Sequence, residues 1–336
     1  MDSNHKMIQL RNKKFPIYLK LLCSSVLLFT ATSGFAQKEP QYTQYMYNIG
    51  SFNPAYVGSV ESAEIMSLYR SQWVNVPGAP RTIRLGANIP FANEKTGLGF
   101  NALVDEIGPV SQTILNIAYS YQVKLSEDVK WSFGVNAGGS LLDVDFTKGD
   151  FEFENEPAIG ENQINEFYPI IGAGTFLYAE HWYLGLSVPN LLTSTLYNDA
   201  VAVVEEDKSQ FNFIGGYVFD VSDQLKFKPA FLINYIDKSP VNVNLSTNFL
   251  IRDVFTVGAS YRLDNAVSAL AGFQISNTMF LGYSYDYSTN AFQSYNDGSH
   301  EVILKFYLGR SNGDSKRRNP KNDKKKPKQI DTPRFF

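Results

Sequence analysis

Beyond Cys23 the chain contains no cysteine, which leaves that stretch without disulfides, thiolate nucleophiles or cysteine-ligated metal. Histidine is nearly as scarce: past residue 36 only His181 and His300 remain. A hydrolase built on a histidine base needs a serine or carboxylate within reach of it. His300 follows Ser299 directly, but neighbours along a strand point to opposite faces, so no enzymatic activity is expected. Past residue 36 there is also no apolar run approaching the roughly 20 residues that a membrane helix requires. No phosphate-binding glycine pattern opens a helix. The carboxylates crowded at 145–166 lack EF-hand spacing and read as a solvated loop. The sequence calls for no metal and no cofactor.

What is present starts with a basic leader. Lys6, Arg11, Lys13, Lys14 and Lys20 come before or just at an apolar run over 21–29, and small residues lead to Gly34-Phe35-Ala36. This order describes a secretory signal, so residues 1–36 are expected to be removed after Ala36, Cys23 with them.

Charge is distributed in blocks. Of the 30 Lys and Arg, five lie in the leader and ten in 310–336, while of the 33 Asp and Glu one lies in the leader and three in 310–336. The middle of the chain is therefore about −14 and the tail about +7. Residues 310–336 are too polar to pack a core and are expected to form a basic, disordered, periplasmic tail. Within it Arg317, Arg318, Lys324, Lys325, Lys326, Arg334, Phe335 and Phe336 are candidate partner-binding residues, with cations for attraction and two rings for an apolar anchor. The cations are not interleaved with aromatics and the chain is exported, so nucleic acid is not the expected partner.

Tyr and Phe number 20 and 25, yet mean hydropathy is only −0.20. That mixture suits strands with one apolar and one wet face. Over 113–124, Leu115, Ile117, Tyr119, Tyr121 and Val123 alternate with Asn116, Ala118, Ser120 and Gln122. The same period of two recurs at 241–249 and 279–287, and it places the two sets on opposite faces of a strand. About 14 strands follow, over 63–72, 82–89, 97–104, 112–124, 129–144, 170–179, 181–188, 210–219, 225–235, 241–250, 254–262, 267–275, 278–287 and 300–308.

Connections after even-numbered strands are short, and several after odd-numbered strands are long, notably 145–169, 189–209 and 288–299. Sorting by parity describes an all-β, transmembrane outer-membrane β-barrel of antiparallel strands with both termini periplasmic. Such a barrel is too wide for its side chains to fill. Residues 37–60, rich in Tyr, Asn and Gln, offer either a lumen plug or a periplasmic lead-in. The division is then signal 1–36, N-terminal segment 37–60, barrel 61–309 and tail 310–336.

Gln41-Tyr42-Thr43-Gln44-Tyr45-Met46-Tyr47-Asn48, followed by Asn53-Pro54-Ala55-Tyr56-Val57-Gly58-Ser59, resembles the opening of the PorP/SprF family of outer-membrane proteins of type IX secretion and gliding. The resemblance continues through Arg70-Ser71-Gln72-Trp73, Gly78-Ala79-Pro80-Arg81-Thr82 and Ile107-Gly108-Pro109. It runs on over 183–192, Gly282-Tyr283-Ser284-Tyr285-Asp286 and Gly298-Ser299-His300-Glu301. Thr332-Pro333-Arg334-Phe335-Phe336 looks like the terminal element of some members. The resemblance marks Gln44, Tyr45, Asn53, Pro54, Ala55, Gly58, Gly78, Ala79, Pro80, Gly298, Ser299, His300 and Glu301 as family positions. It implies secretion or surface attachment of an adhesin or other type IX cargo, contact with periplasmic secretion or motility components, and residence in outer-membrane lipid. The alternative is a plugged outer-membrane channel for small or hydrophobic solutes.

Overall fold

A computed structural model describes residues 40–145, 163–192, 195–198, 201–206, 209–237 and 239–308. The leader, the acidic stretch 146–162 and the basic tail with its candidate residues lie outside the described residues. The strands are β1 (Ala63–Ser71), β2 (Arg81–Pro90), β3 (Thr96–Ile107), β4 (Val110–Lys124), β5 (Lys130–Asp145), β6 (Gln163–Tyr178), β7 (Trp182–Val188), β8 (Thr195–Asn198) and β9 (Val201–Glu206). They continue with β10 (Gln210–Tyr217), β11 (Phe219–Ser222), β12 (Leu225–Ile236), β13 (Asn242–Ile251), β14 (Phe255–Arg262), β15 (Ala266–Ser276), β16 (Met279–Ser288) and β17 (Ser299–Leu308).

Each wall strand pairs antiparallel with its neighbours in sequence, and β1 pairs with β17 from Ala63↔Leu308 to Ser71↔His300. The ring is completed by β10, which pairs with β7 on one side and β12 on the other. Because β10 and β11 are one strand interrupted at Val218, the wall is a closed barrel of 14 strands. Closure is the physical requirement, since in hydrocarbon an open edge would leave backbone amides without partners.

Burial follows the alternation read from the sequence. Ile117 is 57% exposed and Ala118 1%, and β13 and β15 alternate in the same way. Outward positions are apolar, whereas inward ones include Ser132, Asn136, Ser140, Asn244, Ser246 and Ser268. Near the short turns Phe219, Phe227 and Phe249 lie side by side across adjacent strands, with ring centroids 6.0 and 4.9 Å apart. Exposed Tyr235, Tyr261 and Tyr287 stand at the opposite end. Two aromatic belts flanking an apolar band match the bilayer's interfaces.

Three details differ from the sequence reading. β6 starts at Gln163 rather than near residue 170. Its first residues are held by pairing with β5, Asp145↔Gln163 onward, and polar Asn165 and Glu166 give that extension no apolar alternation to detect. The connection 189–209 contains the β8–β9 hairpin, which pairs only with itself. The connection after β3 is just Gly108-Pro109, shorter than the 105–111 that the sequence reading leaves between these strands.

The register makes a measurable distinction on β4. Arg at Ile117 should destabilise the barrel by about 2–4 kcal/mol, and Arg at Asn116 by much less, because only the first side chain faces lipid. Reversible refolding into lipid measures both, and equal losses would contradict the assigned faces.

Candidate functional site

Residues 40–62 do not join the wall. They run across the barrel interior as short 3-10 turns at Tyr45–Tyr47, Ile49–Ser51 and Pro54–Tyr56. Local chemistry sets the last of these: the Asn53 side chain accepts the Ala55 N–H at 3.0 Å, and Pro54 occupies the first position of the turn, where it has no donor to lose. Such turns leave backbone carbonyls unpaired, and buried carbonyls need donors. Inward-facing side chains of the wall supply them. Asn101 Nδ2 donates to Gly50 O (3.3 Å), an Arg84 nitrogen to Ser51 O (3.2 Å), Ser187 Oγ to Phe52 O (2.8 Å) and Ser132 Oγ to Ala55 O (2.7 Å).

Contact between segment and wall is close enough to require missing side chains. A Cβ on Gly97 would stand 2.2 Å from the Gly58 Cα, and one on Gly134 2.3 Å from the Ala55 nitrogen. Tyr45, Met46, Ile49 and Tyr56 are buried in one apolar cluster with Leu68, Phe176, Tyr183, Phe280 and Ile303 of the wall. Burial pushes the phenols of Tyr42, Tyr45 and Tyr47 upward, keeping them neutral. Tyr42 accepts from Arg84 Nε at 3.1 Å, and Tyr45 shares a 2.9 Å hydrogen bond with Ser246.

A charged clamp lies at the start of the segment. Arg70 on β1 donates to Asp286 Oδ2 on β16 at 2.7 Å and to Glu301 Oε2 on β17 at 3.1 Å, with all three side chains at most 4% exposed. The Glu301 carboxylate also accepts the successive backbone N–H groups of Thr43 (3.0 Å) and Gln44 (2.8 Å). Thr43 Oγ1 donates to Asp286 at 2.6 Å, and Gln44 Nε2 donates to the Glu301 carbonyl at 3.3 Å. Arg262 on β14 approaches from the other side, 4.0 Å from Asp286 and hydrogen-bonded to Asn244 Oδ1 at 2.8 Å. A second buried pair, Lys305–Glu64 at 3.0 Å, holds Asn88 through Glu64 at 2.8 Å. Charges this deep are tolerable only when paired and hydrogen-bonded.

The family positions separate into three places. Gln44, Tyr45, Asn53, Pro54, Ala55, Gly58 and Glu301 meet in the lumen. Gly78, Ala79, Pro80, Gly298 and Ser299 meet at the rim that carries the long connections. There Val74 N–H donates to Gly298 O (2.9 Å), Trp73 N–H to Ser299 Oγ (3.1 Å) and Gly108 N–H to Gly78 O (2.9 Å). Trp73 packs edge-on against Phe292 with ring centroids 5.0 Å apart. His300 points outward from the wall and shares a 2.6 Å hydrogen bond with the Tyr283 hydroxyl. His181 sits at the opposite, short-turn end, 3.9 Å from Asp220.

The sequence reading did not single out Arg70, Arg262, Asp286 or the Glu64–Lys305 pair as site residues. A signal was present for Arg262 and Asp286, single charges in inward rows of mostly Thr, Ser and Gly, but on β1 and β17 the inward rows mix the charges with Met66, Leu68, Ile303 and Tyr307 and give no such contrast. What no spacing indicates is which charges meet, because Arg70 and Glu301 are 231 residues apart.

Replacing Arg70 tests the clamp. Arg70→Leu leaves Asp286 and Glu301 buried without their shared cation, which should destabilise the protein by roughly 3–5 kcal/mol. Limited proteolysis should cut within residues 40–62 at denaturant concentrations where the wall is still protected. A loss no larger than that of Arg252→Leu, in an exposed turn, would show that the clamp does not hold the segment.

The family model for type IX secretion system membrane protein PorP/SprF matches residues 34–306. Among curated proteins none matches the sequence. Among solved structures the chain is similar to a Pseudomonas aeruginosa FadL homologue, at 11% identity and TM-score 0.45 over 80% of this chain and 95% of that one. It is also similar to the CymD monoaromatic hydrocarbon channel (12%, TM-score 0.46, 82% and 95%) and the Ralstonia pickettii toluene transporter TbuX (8%, 0.44, 82% and 96%). At these scores no functional conclusion rests on the structural likenesses. The family match spans most of the sequence, from ahead of the lumen segment nearly to the end of β17, and on that basis the chain belongs to the PorP/SprF family of type IX secretion system membrane proteins.

Proposed function

We propose that this outer-membrane barrel supports the secretion or surface attachment of a partner protein, an adhesin or other type IX cargo, and contacts periplasmic machinery at its other rim. The observation that carries this reading is the segment clamped across the lumen. A barrel whose interior is occupied by its own chain and tied there by buried ion pairs is suited to act through its rims and surfaces. The wall begins at Ala63 and ends at Leu308, paired at the short-turn rim. That rim, with the termini and the +7 tail, is assigned to the periplasm, and the long connections to the cell exterior. The tail, with Arg317, Arg318, Lys324, Lys325, Lys326, Arg334, Phe335 and Phe336, is then placed to bind a periplasmic component.

A plugged channel for small or hydrophobic solutes is the second reading. In its favour, both amide atoms of Asn48 and of Asn248, and Ser284 Oγ, are buried without a partner, which suits hydrated gaps between segment and wall.

Deleting the gene should abolish surface display of the partner, and removing residues 309–336 should lower display while barrel assembly stays intact. Undiminished display after the whole-gene deletion, with solute conductance by the purified barrel in planar bilayers, would replace the partner reading with the channel. Orientation is checked by cysteines at Asn155 and Asp223. In intact cells an impermeant thiol reagent should reach the first and not the second, and the reverse labelling would invert the topology.

A further inference from the structure

The wall is not level at the rim with the long connections. β7 ends at Val188, opposite Ala173 of β6, yet β6 begins at Gln163 and stays paired with β5 throughout. The ten residues 163–172 amount to about 33 Å of strand standing past the end of β7. Among the described residues their β7-facing side has little backbone pairing. Ala179 N–H donates to Trp182 O at the hairpin end, so the odd-numbered residues of β6 direct their backbone groups toward β7. Leu191 N–H still reaches Ile171 O at 2.7 Å. Beyond it, among the described residues, nothing pairs with the backbone of Asn165 or Phe167 on that side. The β8–β9 hairpin does not join this sheet.

An unpaired edge is a template for another strand, and proteins usually blunt one with proline or charge. Pro169, which has no N–H to offer, sits at the lower part of the edge, where proline is tolerated. Above it the edge carries full donors and acceptors. Phe167, 62% exposed, pairs with Leu141, 52% exposed, on the outer face. Asp143 and Asp145 follow Leu141 on that outer face, while Glu166, paired with inward-facing Leu142, stands on the lumen side of the same edge. The sequence from Asp143 to Glu166 holds eight carboxylates against Lys148, a net charge of −7. Such an edge repels its own kind and attracts an extended cationic segment.

We propose that the β6 edge at 163–167 is a docking strip for an extended, basic segment of the exported partner. The segment adds as a further strand by main-chain hydrogen bonds. Its apolar residues lie over Phe167, its Lys or Arg side chains on that outer face reach toward Asp143 and Asp145, and those on the other face reach Glu166. The inference rests on the partner reading and on the outward assignment of this rim.

A photoreactive residue at Asn165 of the full chain, activated in intact cells, tests it. The expected cross-link is to another protein, at a peptide of net positive charge with alternating apolar residues. Cross-links only to this chain's own residues 189–209, or to neutral or acidic peptides, would overturn it. Phe167→Pro removes an edge donor and should lower partner display about tenfold, with assembly checked by heat-modifiable migration. Should that variant fail to assemble, the triple change Asp143→Asn, Asp145→Asn and Glu166→Gln keeps the backbone and should lower display several-fold and abolish its salt sensitivity. Full display by these variants, in cells where whole-gene deletion abolishes it, would sink the docking strip alone. Display that survives the whole-gene deletion would sink the partner reading instead.

Discussion

In a bilayer no water is available to pair a stray amide, so each backbone N–H and C=O must find its partner inside the protein. Antiparallel strands meet that demand only if the sheet closes, and β10 closes it by pairing with β7 and β12 together. Everything else in the molecule answers to closure. Fourteen strands enclose more space than inward side chains can fill, so the lumen needs contents. Inward positions match those contents rather than lipid, polar where they meet the segment's backbone and apolar where Leu68, Phe176, Phe280 and Ile303 pack against its side chains. The Ser, Asn and Arg side chains that line the wall then serve as donors to the carbonyls of a segment that has no regular hydrogen-bonding ladder of its own.

The charges inside follow the same logic. Arg70, Asp286 and Glu301 have almost no contact with solvent, and each would be costly alone. Together they share protons and lone pairs with one another and with the backbone of Thr43 and Gln44. An aliphatic trio could fill the same volume, but it would leave those two N–H groups without acceptors. The clamp therefore gives position as much as stability: it specifies which stretch of chain enters the lumen and in what register. Gly97 and Gly134 add a steric condition, since the segment passes where a side chain on either would stand.

At the rim a different constraint applies, because water is present and backbone groups can remain unpaired at small cost. This is where the wall becomes uneven. Connections are cross-bridged on one side, with Trp73, Val74, Gly298 and Ser299 tying two of them together. On another side β5 and β6 rise past β7. A region freed from the bilayer's demand can differ in height and edge exposure, so it is the region where a barrel can acquire a partner.

The strand pattern, the number of strands and the parity of the connections were legible in the sequence because they are local. A period of two needs only neighbouring residues, and a bilayer enforces it strand by strand. Leu115, Ile117 and Tyr119 announced their face without reference to anything distant. The early start of β6 was not legible, since residues 163–169 are held by pairing with β5 and not by burial. Nor was the β8–β9 hairpin inside a long connection. The family positions were visible as motifs, but their grouping was not. Sequence spacing cannot say that Thr43, Arg70, Asp286 and Glu301 share one set of hydrogen bonds, because that meeting depends on the barrel closing β1 against β17 and bringing the ends of the chain together. Local alternation thus determined the fold, while closure in three dimensions alone decided which inward charges became a clamp and which strand rose past the end of its neighbour.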